Sequence, residues 1–186
     1  MTNRTTLLLF TLLLATSCKE TSTGPTTGNN LLSNSTFQVN GVPSLQGWTV
    51  SDTSGAEFST NVPYGGAGHS IGLKPMGIPA SPLGAIYQAI PSPVGTHRYL
   101  ISVFGKTTGI AGEVAISLNR PYSNLWKGWF PGIRVSDTTW TFYSRADTLT
   151  AAADDTIFVI LSGGGCEVCS TREATYFNTC KFEKLD

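Results

Sequence analysis

Short apolar and β-branched runs recur along the chain from about residue 31, and clusters of Gly, Pro and Asn separate them. Val114, Ile116 and Leu118 alternate with small or polar residues, which is typical of an antiparallel strand with one face in the core. This spacing predicts strands rather than helices. The predicted strands are 31–38, 47–52, 56–61, 69–74, 84–90, 98–107, 113–120, 140–149, 156–162 and 176–184.

The segment Ile157–Leu161 is apolar at every position. Such a run is typical of a central strand that is covered on both faces. About ten strands without helical crossovers form an antiparallel sandwich, and the jelly roll is the commonest way to connect that many. The sequence therefore predicts an all-β, antiparallel jelly-roll β-sandwich in one domain over residues 31–186.

The N-terminal region has the layout of an export signal followed by a tether. Arg4 supplies an early positive charge, and the apolar run over residues 7–15 is too short to span a bilayer as a helix. The small residues before Cys18 are similar to a bacterial lipobox, although Ala15 stands where that motif usually has Leu. We expect residues 1–17 to be a lipoprotein signal peptide, Cys18 to carry a lipid anchor, and the Thr- and Ser-rich residues 18–30 to be flexible. Ordinary signal cleavage without lipidation is the alternative.

The charge balance narrows the choice of partner. Twelve basic and twelve acidic residues give no net charge, and charged residues make up 13% of the chain, about half the usual fraction. The sequence has no basic stripe to neutralise phosphates, which argues against nucleic acid as a partner. A surface built from Ser, Thr, Asn and Gly fits a neutral ligand in the bacterial cell envelope.

Three stretches resemble galactose-binding-like jelly rolls of the carbohydrate-binding-module type. Asn30–Gln38 followed by Gly47 and Trp48 is similar to the opening of that family. Trp140–Tyr143 is similar to its W-x-x-Y strand, and Tyr176–Phe182 to its last strand. The resemblance implies a binding domain rather than an enzyme, with carbohydrate as its partner. It also implies that Trp48 is a packed core residue.

The same family commonly holds a structural calcium ion, partly through a Glu of the first strand and an Asp of the last. This chain has Gln38 and Asn178 at the matching positions. Because Ca²⁺ favours anionic oxygen ligands, two amides weaken the case for the ion. Two interpretations stay open: Gln38 and Asn178 are calcium ligands, or they are hydrogen-bonding residues that tie the two ends of the domain together.

The segment Pro121–Pro131 is the best candidate for ligand binding. It is rich in aromatic residues and broken by Pro and Gly, so we expect a surface loop with exposed rings rather than a regular strand. A sugar ring can stack its C–H face on an aromatic ring, while its hydroxyls bond to amide and guanidinium groups. The predicted ligand-binding residues are Tyr122, Trp126, Trp129, Asn119, Arg120, Asn124 and Gln88. The alternative is that the Trp rings only cap the core.

The sequence evidence for a catalytic site is weaker than that for a ligand-binding site. Gly68–Gly72 matches G-x-S-x-G around Ser70, but the prolines that follow would break the required helix, and no Asp or Glu lies between Ser70 and His97. His69 and His97 have no carboxylates at ligand spacing, so we expect no zinc site. A glycoside hydrolase stays an alternative, because it needs only two suitable carboxylates. The available ones include Asp52, Glu57, Glu113, Asp137, Asp147, Asp154 and Asp155.

Three cysteines remain once Cys18 is set aside. We expect Cys166 and Cys169 to form a disulfide that stiffens the loop at 163–171. Alignment with the family's last strand places Cys180 at a core position, where a reduced thiol behaves as a small hydrophobic group. A zinc-binding or redox role would need a fourth ligand or a βαβ context that the sequence lacks.

Together these observations predict a lipid-anchored envelope protein that binds a neutral polysaccharide or oligosaccharide without catalysing a reaction. The expected location is the outer membrane or cell surface rather than the inner membrane. A second hypothesis is an envelope lipoprotein that uses the same domain to contact another protein, and a hydrolase is a third.

Overall fold

The computed structural model describes residues 29–51, 55–63, 68–77, 84–121, 123–166 and 173–186. The expected signal peptide, the expected lipid anchor at Cys18, Tyr122 and Cys169 lie outside the described residues. Within the described ranges, no helix is long and apolar enough to cross a membrane.

The described residues form fourteen strands, in the order β1 (Gln38–Val39), β2 (Val42–Pro43), β3 (Thr49–Val50), β4 (Ala56–Ser59), β5 (Ser70–Leu73), β6 (Met76–Gly77), β7 (Ala85–Pro91), β8 (Gly95–Thr107), β9 (Gly112–Leu118), β10 (Trp129–Val135), β11 (Thr141–Ala151), β12 (Thr156–Ser162), β13 (Gly165–Cys166) and β14 (Thr175–Lys184).

Ten of these strands form two five-stranded sheets. The front sheet has the order β10-β9-β12-β7-β3, and the back sheet has the order β11-β8-β14-β5-β4. All pairings inside both sheets are antiparallel. The chain crosses repeatedly between the two sheets, as in a jelly roll. The predicted all-β jelly-roll sandwich is therefore confirmed.

The core lies between the inward faces of the two sheets. On β9, Val114, Ile116 and Leu118 are 0–2% exposed, as their alternation predicts. The expectation that the other face of this strand is exposed is wrong, because Ala115 and Ser117 are 5% and 0% exposed. From the back sheet, Ile101 and Val103 of β8 belong to the same apolar cluster. Burying each such aliphatic side chain contributes roughly 1.5–3 kcal/mol, so this cluster holds the two sheets together.

The predicted strand at 31–38 is wrong, because most of this segment is a series of turns. The Asn34 side chain supplies the physical reason. Its Nδ2 donates to the carbonyls of Ser44 at 2.8 Å and Gln46 at 3.1 Å, and its Oδ1 accepts from the amide of Gln38 at 2.8 Å. Such local bonds compete with a strand ladder. Asn34 and Phe37 accordingly adopt positive φ angles of 46° and 54°.

The prediction that Pro121–Pro131 holds no regular strand is wrong at its C-terminal end, where β10 begins at Trp129. β10 is an edge strand, and its register against β9 shifts between Phe130 and Ile133. Pro131 and Gly132 occupy this bulge. Pro is tolerated at edges and bulges because its missing N–H is not needed there.

Asn30, which the sequence places at the end of the tether, belongs to the folded domain. It forms a bridge with Glu183 of β14. Its Oδ1 accepts hydrogen bonds from the amides of Phe182 at 2.9 Å and Leu32 at 3.2 Å. The first described residues are thus tied to the last strand.

Trp48 and Cys180 lie in the core, and both predictions are confirmed. Trp48 is 7% exposed, and its Nε1 donates to the carbonyl of Asn34 at 3.2 Å. Cys180 is a free, fully buried thiol, and burial raises its pKa to about 12. The side chain of Cys166 and all of Cys169 lie outside the described residues, so the disulfide between them stays a prediction.

Candidate functional site

The outward face of the front sheet carries a groove of about 880 Å³. Its lining includes residues of all five strands, so the groove crosses the sheet, and five strands about 4.8 Å apart span roughly 19 Å. Thr49, Tyr87, Ile160 and Ala115 lie side by side on adjacent strands. The described residues of the lining are Thr49, Val50, Ser51, Ala85, Tyr87, Glu113, Ala115, Arg120, Pro121, Ser123, Trp129, Ile160 and Ser162.

The floor of the groove is apolar. Ala85, Ala115 and Ile160 form a small cluster of their own, with Tyr87 and Phe158 packed against it. The rings of Tyr87 and Phe158 are 5.7 Å apart at their centroids. This arrangement explains why β12 is apolar on both faces: one face packs in the core, and the other packs in the small cluster that forms the groove floor.

Trp129 stands on β10 beside this floor. It pairs with Ser117 of β9 and is 40% exposed. Trp126 lies behind it, with the ring centroids 5.9 Å apart and the planes at 77°. The Nε1 of Trp126 donates to the Oγ of Ser117 at 2.9 Å. The two indoles therefore do not form a coplanar platform, and of the two only Trp129 lines the groove.

Among the described residues, two charged groups line the groove. Glu113 is exposed at the start of β9, in register with Ser162 and Arg134 on the neighbouring strands. Arg120 is exposed in the segment that connects β9 to β10. The carboxylate accepts hydrogen bonds and the guanidinium donates them. The groove thus offers both kinds of partner that a hydroxyl-rich ligand needs.

Gln88 does not face the groove, and the prediction that it shares a surface with the Trp rings is wrong. It is 6% exposed and lies on the inward face of β7, because side chains alternate along a strand and the adjacent Tyr87 points outward. Its Nε2 donates to the carbonyl of Ser33 at 2.7 Å, and its Oε1 accepts from the amide and the hydroxyl of Ser33, both at 3.0 Å.

Asn119 is also directed into the protein, so its predicted role as a direct ligand contact is wrong. It is 8% exposed. Its Nδ2 donates to the carbonyl of Leu125 at 3.0 Å and to the Oδ1 of Asp155 at 2.8 Å. Its Oδ1 accepts from the amide of Thr156 at 3.1 Å. Asn124 is exposed but does not line the groove.

Sequence reasoning missed the floor of the groove. Tyr87, Ala115 and Ile160 are far apart along the chain and come together only through the strand register. One signal was present in the sequence. Phe158 and Ile160 are apolar although they face away from the core, and Ile160 is 6% exposed because other groove residues pack around it.

The arrangement of carboxylates bears on catalysis. Glycoside hydrolases generally use two carboxyl groups flanking the bond that is cleaved. Among the described residues that line the groove, Glu113 is the one carboxylate. Ser70 of the G-x-S-x-G match is fully buried at the start of β5, and its Oγ donates to the carbonyl of Asn61 at 2.7 Å. That stretch is a strand, as the sequence predicts, and its hydroxyl is used inside the fold.

Gln38 and Asn178, the candidate calcium ligands, contact two consecutive residues, Gly68 and His69, just before β5. The Gln38 amide packs directly against Gly68. Asn178 is fully buried; its Nδ2 donates to the carbonyl of His69 at 2.9 Å, and its Oδ1 accepts from the hydroxyl of Thr179 at 2.6 Å. Within the described ranges, no three His, Cys, Asp or Glu side chains come together. Amide oxygens can bind Ca²⁺ but lack the negative charge of carboxylates, so a calcium ion at Gln38 and Asn178 stays a prediction.

No protein-family model and no curated protein matches the chain, but solved structures share its fold. A family 16 carbohydrate-binding module matches with a TM-score of 0.56 and 18% identity, over 82% of this chain and 99% of that one. The CBM22-1 xylan-binding domain of Paenibacillus barcinonensis Xyn10C matches with a TM-score of 0.56 and 14% identity, over 86% and 96%. The CBM22-1-GH10 modules of Clostridium thermocellum xylanase 10B, complexed with xylohexaose, match with a TM-score of 0.54 and 15% identity, over 85% and 29%. These likenesses show a jelly roll of the carbohydrate-binding-module type.

Proposed function

We propose that the groove on the front sheet binds a neutral glycan without catalysing a reaction. The observation that carries this proposal is the half-exposed ring of Trp129 beside an apolar groove that crosses the whole sheet. A sugar ring can lay its C–H face on the indole. Its hydroxyls can then bond to Glu113 and Arg120 at the groove lining.

The dimensions of the groove favour a chain of sugars over a single sugar. A pyranose unit in an extended glycan advances by about one strand spacing, so a groove of roughly 19 Å accommodates about four units. We expect affinity to rise with chain length up to that size. Affinity should stay modest, because exposed hydrogen bonds and a few stacked rings bury little surface.

The fold comparisons support the ligand class. Two of the matching structures are named as a carbohydrate-binding module and a xylan-binding domain. The sequence identities of 18% and 14% are too low to assign a particular sugar to this chain. The proposal for this chain therefore rests on its own groove, and xylan is one candidate among neutral polysaccharides.

Binding to polysaccharide-containing gels tests the proposal. The comparison is among wild type, Trp129→Ala and Trp140→Ala. Trp140 is a matched control because its Nε1 donates to Asn61 at 3.0 Å and its ring contacts Lys106 of the back sheet. At least one neutral polysaccharide in the gel, such as xylan, galactan or a soluble cellulose derivative, should retard the electrophoretic migration of wild type and Trp140→Ala. The same polysaccharide should not retard Trp129→Ala.

Two results would overturn this proposal. One is the absence of retardation by every neutral polysaccharide tested, and the other is equal retardation of Trp129→Ala and wild type. Retention of a specific envelope protein, without any glycan signal, would favour the second hypothesis of a protein-interaction domain.

We also propose that a lipid on Cys18 anchors the domain in the bacterial cell envelope, on the outer membrane or cell surface. Residues 19–29 would then space the groove from the membrane. Growth with radioactive palmitate tests this: wild type should incorporate the label, and Cys18→Ala should not. Unlabelled wild type, or processing that is insensitive to globomycin, would overturn the anchor.

A further inference from the structure

The carboxylate of Asp155 forms hydrogen bonds to the segment that carries Arg120 at the groove. This segment, from Asn119 to Gly128, is called the β9–β10 loop. Asp155 lies immediately before β12 and is 8% exposed. Its Oδ1 accepts from the Nδ2 of Asn119 at 2.8 Å. Its Oδ2 accepts from the Nζ of Lys127 and from the amide of Ala152.

Two of the three partners of Asp155 lie at the two ends of the β9–β10 loop. Asn119 is its first residue and adopts a positive φ of 62°. Lys127 is next to its last residue, and the amide of Lys127 donates to the carbonyl of Leu118 at 3.2 Å. A single side chain therefore closes the loop where it leaves β9 and where it enters β10.

The charge on Asp155 strengthens these bonds. Hydrogen bonds from Lys127, Ala152 and Asn119 hold the pKa of Asp155 at about 2, with the Lys127 bond the largest cause. The side chain is thus an anion at neutral pH. Hydrogen bonds to an ionised acceptor are shorter and roughly twice as strong as neutral ones.

We infer that Asp155 is a positioning residue for the groove, an inference that rests on the proposed function. Asp155 does not line the groove, whereas Arg120, Pro121 and Ser123 of the loop do. By holding both ends of the loop, Asp155 fixes these residues before a ligand arrives. A loop that is already ordered loses little conformational entropy on binding, which strengthens affinity.

The test compares Asp155→Asn with Asp154→Asn. Asp154 is the exposed neighbour of Asp155, so the control makes the same chemical change one residue away. The first measurement is the calorimetric affinity for a hexasaccharide of the neutral polysaccharide that retards wild type most strongly in the gels. Asp155→Asn should bind roughly ten-fold more weakly than wild type, because the loop must be ordered on binding. Asp154→Asn should bind as wild type does.

The second measurement needs no ligand. Amide hydrogen exchange should become faster within residues 119–128 of Asp155→Asn, while the strands keep their protection. Trypsin should also cleave the Lys127–Gly128 bond faster, because the Lys127 side chain is no longer held. A general loss of stability would instead accelerate exchange throughout the fold.

Variants of Lys127 keep the inference testable if Asp155→Asn does not fold. Lys127→Met removes the cation and should accelerate exchange in the same loop, while Lys127→Arg keeps the charge and should restore protection. Unchanged loop exchange in both Asp155→Asn and Lys127→Met would overturn the role of Asp155. Failure of wild type to bind any neutral glycan would count against the proposed function, whatever the exchange data show.

Discussion

The indole rings of Trp126 and Trp129 meet edge to face, with centroids 5.9 Å apart and planes at 77°. Edge-to-face packing is a favourable geometry for aromatic rings. The indole N–H of Trp126 donates a hydrogen bond to the Oγ of Ser117, while Trp129 is 40% exposed in the groove. The two residues therefore have different roles in the proposed site: Trp126 packs against Trp129 and supports its ring, and Trp129 offers its ring to the sugar.

A supporting role predicts that Trp126→Phe and Trp126→Ala have different effects on stability and on glycan affinity. Trp126→Phe keeps a ring behind Trp129 but removes the hydrogen bond to Ser117, so it should lower the free energy of unfolding by about 1 kcal/mol and leave glycan affinity nearly unchanged. Trp126→Ala should lower both. Urea denaturation and calorimetry measure the two quantities. A large affinity loss in Trp126→Phe would show that Trp126 contacts the ligand itself.

Glu113 should disfavour acidic glycans, while Arg120 in the same groove attracts them. Because like charges in a binding site are costly, Glu113→Gln should raise the affinity for a glucuronic-acid-bearing oligosaccharide relative to that for the same neutral oligosaccharide. Calorimetric titration of wild type and Glu113→Gln with both ligands at pH 7 checks this. An affinity ratio that is the same in both proteins would contradict it.

The lowered pKa of Asp155 gives a signed dependence of stability on pH. A carboxylate whose pKa falls on folding stabilises the fold above its unfolded value, about 3.9 for Asp, and loses that contribution as pH falls through the folded value. With a folded pKa of about 2, the stability difference between wild type and Asp155→Asn should be constant above about pH 5 and shrink between pH 4 and 2.

Denaturation of both proteins at several pH values measures this difference. Asp154→Asn is the control, and its difference from wild type should show no comparable loss over the same range. A wild-type advantage over Asp155→Asn that persists unchanged to pH 2 would show that the ionised carboxylate is not what stabilises the loop.

Cys180 should be unreactive in the folded protein. The thiolate is the reactive form of cysteine, and burial both raises the pKa of Cys180 to about 12 and leaves it 0% exposed. Iodoacetamide at pH 8 should therefore label Cys180 only after denaturation, as peptide mass spectrometry can show. The same digest without reductant tests the predicted Cys166–Cys169 disulfide, and a bridge to Cys180 would contradict both assignments.

The sequence pattern was sufficient for the fold because alternation marks the core-facing residues of strands such as β9, although the opposite face of β9 is buried as well. It failed where side chains override the pattern. The hydrogen bonds of Asn34 turn a segment that is apolar enough to form a strand. The bulge between Phe130 and Ile133 lets β10 include a Pro and a Gly that suggested a loop.

The site was predictable only in part. Trp129 and Arg120 were among the predicted ligand-binding residues, and both line the groove. Gln88 was predicted to bind the ligand, but its neighbour Tyr87 faces the groove instead. A shift of one residue along a strand reverses the face on which a side chain lies. The floor depends on which strands become neighbours, and nothing local in the sequence specifies that β7, β12 and β9 lie side by side.

The most direct measurement is a proton–nitrogen correlation spectrum of the four Trp indole N–H groups during titration with neutral oligosaccharides. The indole signal of Trp129 should shift in a saturable way, while the signals of Trp48 in the core and Trp140 beside the back sheet stay in place. Saturable shifts at Trp140 with an unchanged Trp129 signal would contradict the account, and so would the absence of any saturable shift.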